Sequence, residues 1–386
     1  MHACRDAAEA WFERIRRWRR GLLALVAIGL VGLAWTAGAP RASANATRHD
    51  DGRIPLAVIG DSDSQGFQDL IDRGERPRGG PYHGSTFQWT EVLASLRGDR
   101  LDLGEWDVHG MPAWTARALE LTGLDGVVSS WGWEVRAPRK RDHRHNFAAS
   151  GEGCAALFGG RSRQVPRLIR LMDEDPARWR TGIVVIKIGG NDFGNDAPHL
   201  DQLAKDPAAP RVRAKMDYCV GQIRAAVETI QRAHPGTRIV LGGVFDNADW
   251  ERFFERWQSP LLLTNISKGL DHFDNALQAI AATSPRIAFF SDRRWFDALW
   301  GSRDIDGRPR YRVLRLGPDV AVSNSRGDAP SNSTLDDGHA GLVWNAKWAQ
   351  SLVDLIDTRF DARVPPITDD ELLRLVRATG TAQVRR

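Results

Sequence analysis

Four apolar, β-branched runs constrain this chain more than any other feature. They are Ile54–Gly60 (IPLAVIG), 182–188 (GIVVIKI), 238–244 (RIVLGGV) and 286–291 (RIAFFS). Each is continuous rather than alternating, the pattern of strands buried on both faces. Helical patterns lie between them, at 163–173, 212–234 and 267–283. In the second of these, Met216, Cys219, Val220, Ile223, Ala226, Val227 and Ile230 share one helix face. Strands alternating with helices predict an α/β domain on a parallel sheet covered on both sides. At 386 residues and 42% hydrophobic, the chain has material for such a core and is no disordered or disulfide-stapled peptide. Ligands of such sheets bind beyond the carboxyl ends of the strands.

The net charge of +4 at first points to an anionic partner. Its location removes that reading. Residues 1–44 hold seven Arg against Asp6, Glu9 and Glu13, which accounts for all of it, and the rest is formally neutral. No nucleic-acid partner is expected. The segment reads instead as an export signal. Arg14 to Arg20 form a basic region, 21–37 is apolar and uncharged, and Ala42-Ser43-Ala44 offers a cleavage site after Ala44. Export to the periplasm or outside the cell is expected. An uncleaved anchor over 21–37 is the rival, although the run is short of the roughly 20 residues of a spanning helix. Membrane contact is expected only through this segment. Arg19-Arg20-Gly21-Leu22-Leu23 also resembles a twin-arginine signal. Beyond the signal, Cys154 and Cys219 remain, and both a disulfide and two buried thiols are open.

The strand ends carry the chemistry. After the first run come Gly60-Asp61-Ser62-Asp63, after the second Gly189-Gly190-Asn191-Asp192, and near the C-terminus Asp336-Asp337-Gly338-His339. A serine, an Asp/His pair and a side-chain amide are the parts acyl transfer needs. A serine hydroxyl needs a base within hydrogen-bond reach, and an imidazole accepts and returns protons near pH 7. If the 336–339 stretch makes a helical turn, Asp336 and His339 are i, i+3 neighbours. Asp336 would then hold Nδ1 and leave Nε2 for Ser62. Asp337 is the alternative.

With these blocks in this order, the chain resembles the GDSL or SGNH hydrolases over about 54–358. Gly60-Asp61-Ser62 resembles the first block, Asn146 to Gly151 the second, Gly189 to Asp192 the third and Asp336-x-x-His339 the last. The resemblance implies a three-layer α/β/α fold of flavodoxin-like type on a mostly parallel five-stranded sheet. It implies Ser62 as nucleophile, His339 and Asp336 as base and orienting acid, and Ser62, Gly151 and Asn191 as oxyanion donors. No cofactor and no metal are implied. Asp63 departs from the family, which usually has an apolar residue there, and is expected to point away from the reacting carbonyl. Asp61 and Asp192 are expected to brace their turns.

Residues 45–360 are read as the hydrolase domain, with a Trp-rich insertion at about 101–145, and 361–386 as a C-terminal helix and tail. The 15 Trp against three Tyr make Trp114, Trp131 and Trp133 candidates for a substrate wall, with a packed hydrophobic subdomain as the competing reading. The basic run 136–145 reads as a solvated loop or a lure for a polyanion. Its Asp142, His143 and His145 have no zinc spacing. Aromatic and charged residues at 245–258 follow a strand end and are candidates for the cleft lining. A hairpin around Tyr311 to Val322 reads as a flap, and Thr368-Asp-Asp-Glu371 as a capping box opening the last helix. The function expected is an exported serine esterase acting on O-acetylated carbohydrate or another small ester. The alternatives are an envelope O-acyltransferase using the same residues, a lipase or thioesterase, and a non-catalytic binding protein.

Overall fold

A computed structural model describes residues 52–72, 74 and 77–383, with side chains to Ala378. The expected export segment over 1–44 and the last three residues lie outside them. The described residues fall into two compact units. One is His109–Lys140, and the other joins the chain up to Val108 with the chain from Arg141 onward.

In the large unit the four apolar runs become parallel strands. They are β1 (Ile54–Gly60), β3 (Ile183–Lys187), β4 (Arg238–Gly242) and β5 (Ile287–Phe290), with the short β2 (Leu101–Asp102) at one edge. The order is β2-β1-β3-β4-β5, all parallel, the flavodoxin-like arrangement of an α/β fold. Gly60 pairs with Lys187 and Ile186 with Leu241, so the strands end level. Both faces are apolar, as continuous runs require. Ala57, Ile59, Val184 and Ile186 face one core, against helices α2 (Gln164–Asp173), α4 (Pro210–Ala233) and α5 (Pro260–Ala281). Leu56, Val58, Ile183 and Val185 face the other, against α1 (Trp89–Arg97), α6 (Asp292–Trp300), α7 (Leu342–Phe360) and α8 (Asp369–Gln383). Each such side chain contributes roughly 1.5–3 kcal/mol by leaving water, so a polar residue at either parity is costly. The remaining helix, α3 (Ala197–Lys205), packs Leu200 and Leu203 into the first core.

The helix read at 212–234 buries the expected face. The capping box also forms. Glu371 accepts from the Thr368 N–H at 2.8 Å, and Thr368 Oγ1 accepts from the Glu371 N–H at 3.2 Å. The hairpin before the Asp/His block is β6 (Leu314–Leu316) and β7 (Val320–Arg326), with β8 (Asn332–Thr334) alongside. Asn324 ties β7 to the Asp249 carbonyl at 3.1 Å. Tryptophan proves largely architectural here. Trp89, Trp295, Trp300, Trp344 and Trp348 build an aromatic core, with ring centroids 4.7 Å apart for Trp89–Trp348 and 5.4 Å for Trp300–Trp344. Among the described residues no helix is long and apolar enough to cross a membrane.

The small unit holds two helices, Ala113–Thr122 and Asp125–Ser130. Met111, Ala116, Leu119, Val128, Val135 and Ala137 form its core, with Trp133 packed against it. Trp114 and Trp131 are 58% and 62% exposed. The run 136–145 is not a solvated loop. Arg136, Lys140, Asp142, His143 and His145 are all buried.

Candidate active site

Ser62 sits on the turn that ends β1. Ser64 and Gln65 both donate their N–H to the Asp61 carbonyl, at 3.1 and 3.2 Å, so the chain makes one tight coil there. The Asp61 carboxylate accepts from the Asp63 N–H at 2.9 Å, an Asx turn of the kind Asp favours. Burial, then the nearby Asp63 charge, push the Asp61 carboxyl up to about 8. Gly60 is obligatory at the turn's root, because a Cβ would lie 2.4 Å from the Lys187 carbonyl oxygen. Gln164, fully buried, grips Gly60 by both its N–H and its carbonyl at 2.7 Å each.

His339 reaches this turn from the far end of the chain. Its Nε2 lies 3.0 Å from Ser62 Oγ. The expected acid is corrected. Asp337, not Asp336, stands 3.0 Å from His339 Nδ1 through Oδ1, and the same oxygen accepts the His339 N–H at 3.0 Å. Asp336 points outward, and its backbone instead binds Asp328 and Arg326. The reason is local. The i, i+3 argument assumed a helical turn, but Gly338 takes φ +86° and folds the chain back so that i and i+2 meet. Gly338 is pressed on Trp250, 2.6 Å from where a Cβ would be.

The charges fit a neutral imidazole beside a carboxylate. Burial, then the Arg78 charge, lower the His339 pKa, and Asp337 and Asp63 only partly offset them. Burial raises the Asp337 carboxyl, but the His339 contact and Arg78 together hold it well below the usual carboxylate range. Asp63 is 44% exposed at its side chain and faces Lys187 Nζ at 3.9 Å.

Gly151 and Asn191 come from neighbouring loops. Asn146 binds the Ser64 carbonyl at 2.7 Å and Ala149 donates to the Gly60 carbonyl at 3.2 Å, which seats the Gly151 loop against the Ser62 turn. Gly151 has φ +76° and open space where a side chain would be. Asn191 follows β3, and its side-chain NH2 donates to the Glu152 carbonyl at 2.8 Å, with its residue exposed. An NH2 has two hydrogens, so one donor remains beyond that bond. Asp192 accepts from the Cys154 N–H at 2.9 Å, the bracing role expected of it. Cys154 and Cys219 form a disulfide, the question the sequence left open.

Trp114, Trp131 and Trp133 belong to the small unit. Asp142, His143 and His145 serve backbone groups. Asp142 accepts from the Gly66 N–H at 3.1 Å, and the two histidines lie 3.1 and 2.9 Å from the Gly104 and Asp102 carbonyls. Burial lowers the His145 pKa to about 4. Sequence reasoning missed Arg78, Gln65 and Glu91, whereas Trp250 lies in the 245–258 stretch read as a candidate cleft lining. Glu91 was findable, since Gln88-x-x-Glu91 is a capping-box pattern. Its carboxylate also accepts the N–H groups of Phe67 and Gln68, at 3.1 and 3.2 Å, just past the Ser62 turn.

The family described as GDSL-like lipase/acylhydrolase matches residues 56–249. No curated protein matches the sequence. Similar solved structures include a family 3 carbohydrate esterase from Clostridium thermocellum, 12% identical, covering 81% of this chain and 100% of that one, with a TM-score of 0.37. An extracellular lipase from Streptomyces rimosus is 16% identical over 66% of this chain and 86% of its own, with a TM-score of 0.36. A carbohydrate acetylesterase from Sinorhizobium meliloti is 12% identical over 80% and 100%, with a TM-score of 0.35.

Proposed function

The chain belongs to the GDSL-like lipase/acylhydrolase family and is a carboxylic ester hydrolase; from that premise we propose that it works through a Ser62 acyl-enzyme and removes small acyl groups from carbohydrate outside the cytoplasm. The observation that carries the mechanism is the 3.0 Å approach of His339 Nε2 to Ser62 Oγ. Ser62 Oγ attacks the ester carbonyl as His339 takes its proton. The imidazolium, held by Asp337, then gives that proton to the departing alcohol. Water repeats the sequence in reverse to free the acid. The oxyanion of each tetrahedral intermediate is met by the N–H groups of Ser62 and Gly151 and the free Asn191 amide hydrogen. Loss of one such donor costs on the order of 100-fold or more in rate.

Three features support the substrate and the compartment. The open space beside Gly151 leaves room for a bulky alcohol part. Trp250 closes the side of the site at the His339 loop, packed on Gly338 and covered by Arg252 at 4.1 Å, which suits a compact acyl group better than a long chain. The Cys154–Cys219 disulfide belongs to an oxidising compartment and agrees with the export signal read at 1–44.

Purified protein should hydrolyse p-nitrophenyl acetate faster than longer-chain esters and release acetate from acetylated polysaccharide. Ser62→Ala should abolish both. Equal turnover by Ser62→Ala would sink the assignment, and a preference for long acyl chains would move the substrate to lipid. Acyl transfer outrunning hydrolysis when a sugar acceptor is added would make it a transferase. N-terminal sequencing of the mature protein should start at Asn45, and a membrane-bound chain retaining 21–37 would overturn cleavage.

A further inference from the structure

Arg78 lies in a Gly- and Pro-rich stretch between the first two sequence blocks, and its guanidinium meets three separate loops of the site. Nη1 donates to the Ser62 carbonyl at 2.9 Å, Nη2 donates to Ser150 Oγ at 3.0 Å, and Nε stands 3.4 Å from Asp337 Oδ2. One planar group thus touches the residue carrying the hydroxyl, the residue before Gly151, and the acid behind His339. The side chain is only 7% exposed. A buried guanidinium is costly unless its donors are matched, so this arrangement is built rather than incidental. Asp337 divides its two oxygens accordingly, Oδ1 to His339 and Oδ2 to Arg78. A carboxylate on an otherwise exposed loop gains a second fixed point, which sets its rotamer.

We infer that Arg78 is a positioning residue for the hydrolysis, locking the Ser62 turn, the Gly151 loop and the Asp337–His339 loop into one register. The inference rests on the Ser62–His339 reading above. Arginine is required because its fork holds several donors in a fixed plane, whereas lysine offers a single ammonium. The charge has its own effect. His339 is faced by Asp337 on its own loop, by Ser62 and Asp63 on the nucleophile turn, and by Arg78. Lys187 stands behind Asp63 at 3.9 Å. Arg78 is the cation that opposes imidazolium formation most directly, so it keeps the base free at lower pH.

The test is p-nitrophenyl acetate hydrolysis across pH by the intact protein and the variants Arg78→Lys, Arg78→Met and Arg78→Ala, with Ser62→Ala as reference. Arg78→Met should lower kcat on the order of 100-fold, the scale of a small misplacement of reacting groups, with KM within a few-fold. Its acid limb should move to higher pH. Arg78→Lys should keep the acid limb in place yet lose most of kcat, because one ammonium serves one partner. Guanidinium ion should restore part of the Arg78→Ala rate and leave the wild type unaffected. Wild-type kcat in Arg78→Lys, or an unmoved acid limb with near-wild-type turnover in Arg78→Met, would overturn the inference. Undiminished activity in Ser62→Ala would overturn the Ser62 reading instead, so the two failures are distinguishable.

Discussion

Two adjacent carboxylates, Asp336 and Asp337, have opposite fates in this molecule. One shares its atoms between an imidazole and a guanidinium; the other faces water. Asp337→Asn should therefore cut kcat/KM for p-nitrophenyl acetate by roughly 100- to 10,000-fold, the range set by losing the orienting acid of such a site. Asp336→Asn should stay within a few-fold of wild type, and the reverse ranking would reinstate Asp336. The pH profile follows from His339. Burial and Arg78 lower its pKa, so the active neutral form persists below the ordinary imidazole value of about 6.5. The acid limb of kcat/KM should accordingly inflect below that value, which a profile in salt-matched buffers would show. Ser62 and His339 were legible because the strand-end rule narrows attention to a few loops and only a serine and a histidine there fit the chemistry. Asp337 was weighed and passed over, since a left-handed Gly338 is invisible to a spacing rule written for helices. Arg78 gave no signal at all, because its meaning lies in three loops that only the fold assembles.

Elements position these residues by their ends. Gly338 lets the loop before α7 reverse under Trp250, and neither its φ of +86° nor the 2.6 Å clearance admits a methyl group. Gly338→Ala should cost on the order of 1–3 kcal/mol through backbone strain and displace His339. Thermal melting and a fall in kcat would register the two effects together. At the other end of that face, α8 is fastened by its capping box and by Arg97, whose Nη1 and Nη2 each lie 2.9 Å from Glu371. The Arg97 contact, followed by the Thr368 N–H, lowers the Glu371 pKa to about 2. A depressed carboxylate stabilises the folded state above its unfolded value, near 4.5, and that stabilisation is lost as pH falls toward 2. Glu371→Gln should thus lower Tm clearly at pH 6, with the gap to wild type closing between pH 4.5 and 2. A gap that stayed constant with pH would show that the charge has no part in it. The capping box itself was readable from Thr368 and Glu371. The partner Arg97, about 270 residues away, was not.

At the scale of the whole molecule, the sheet was the most legible part. The four apolar runs became the four long strands because a strand buried on both faces leaves no polar parity to disguise it. The Trp count left two readings open for the complementary reason. Composition cannot separate an indole in a cleft from one in a core, and here Trp89, Trp300 and Trp348 fill the core. The pairing of Cys154 with Cys219 was also beyond the sequence, since it depends on α4 crossing beneath the Gly151 loop. That bond closes a 65-residue separation and ties the segment after Gly151 to α4, while Asn191 and Asp192 hold the same segment through Glu152 and Cys154. Replacing both cysteines with alanine should lower stability by roughly 2–4 kcal/mol, measured by denaturant midpoint. Turnover should fall with it as the Gly151 loop loosens.

Ser62 and His339 stand 277 positions apart in the chain. Synthesis runs from the first to the second, so under the mechanism proposed above a growing polypeptide carries its nucleophile long before it carries its base. Until the final loop and the helix behind it have emerged and docked, the serine is an ordinary alcohol. On that mechanism the nascent protein leaves surrounding esters untouched, and it gains its reactivity only once the C-terminal part of the chain is in place.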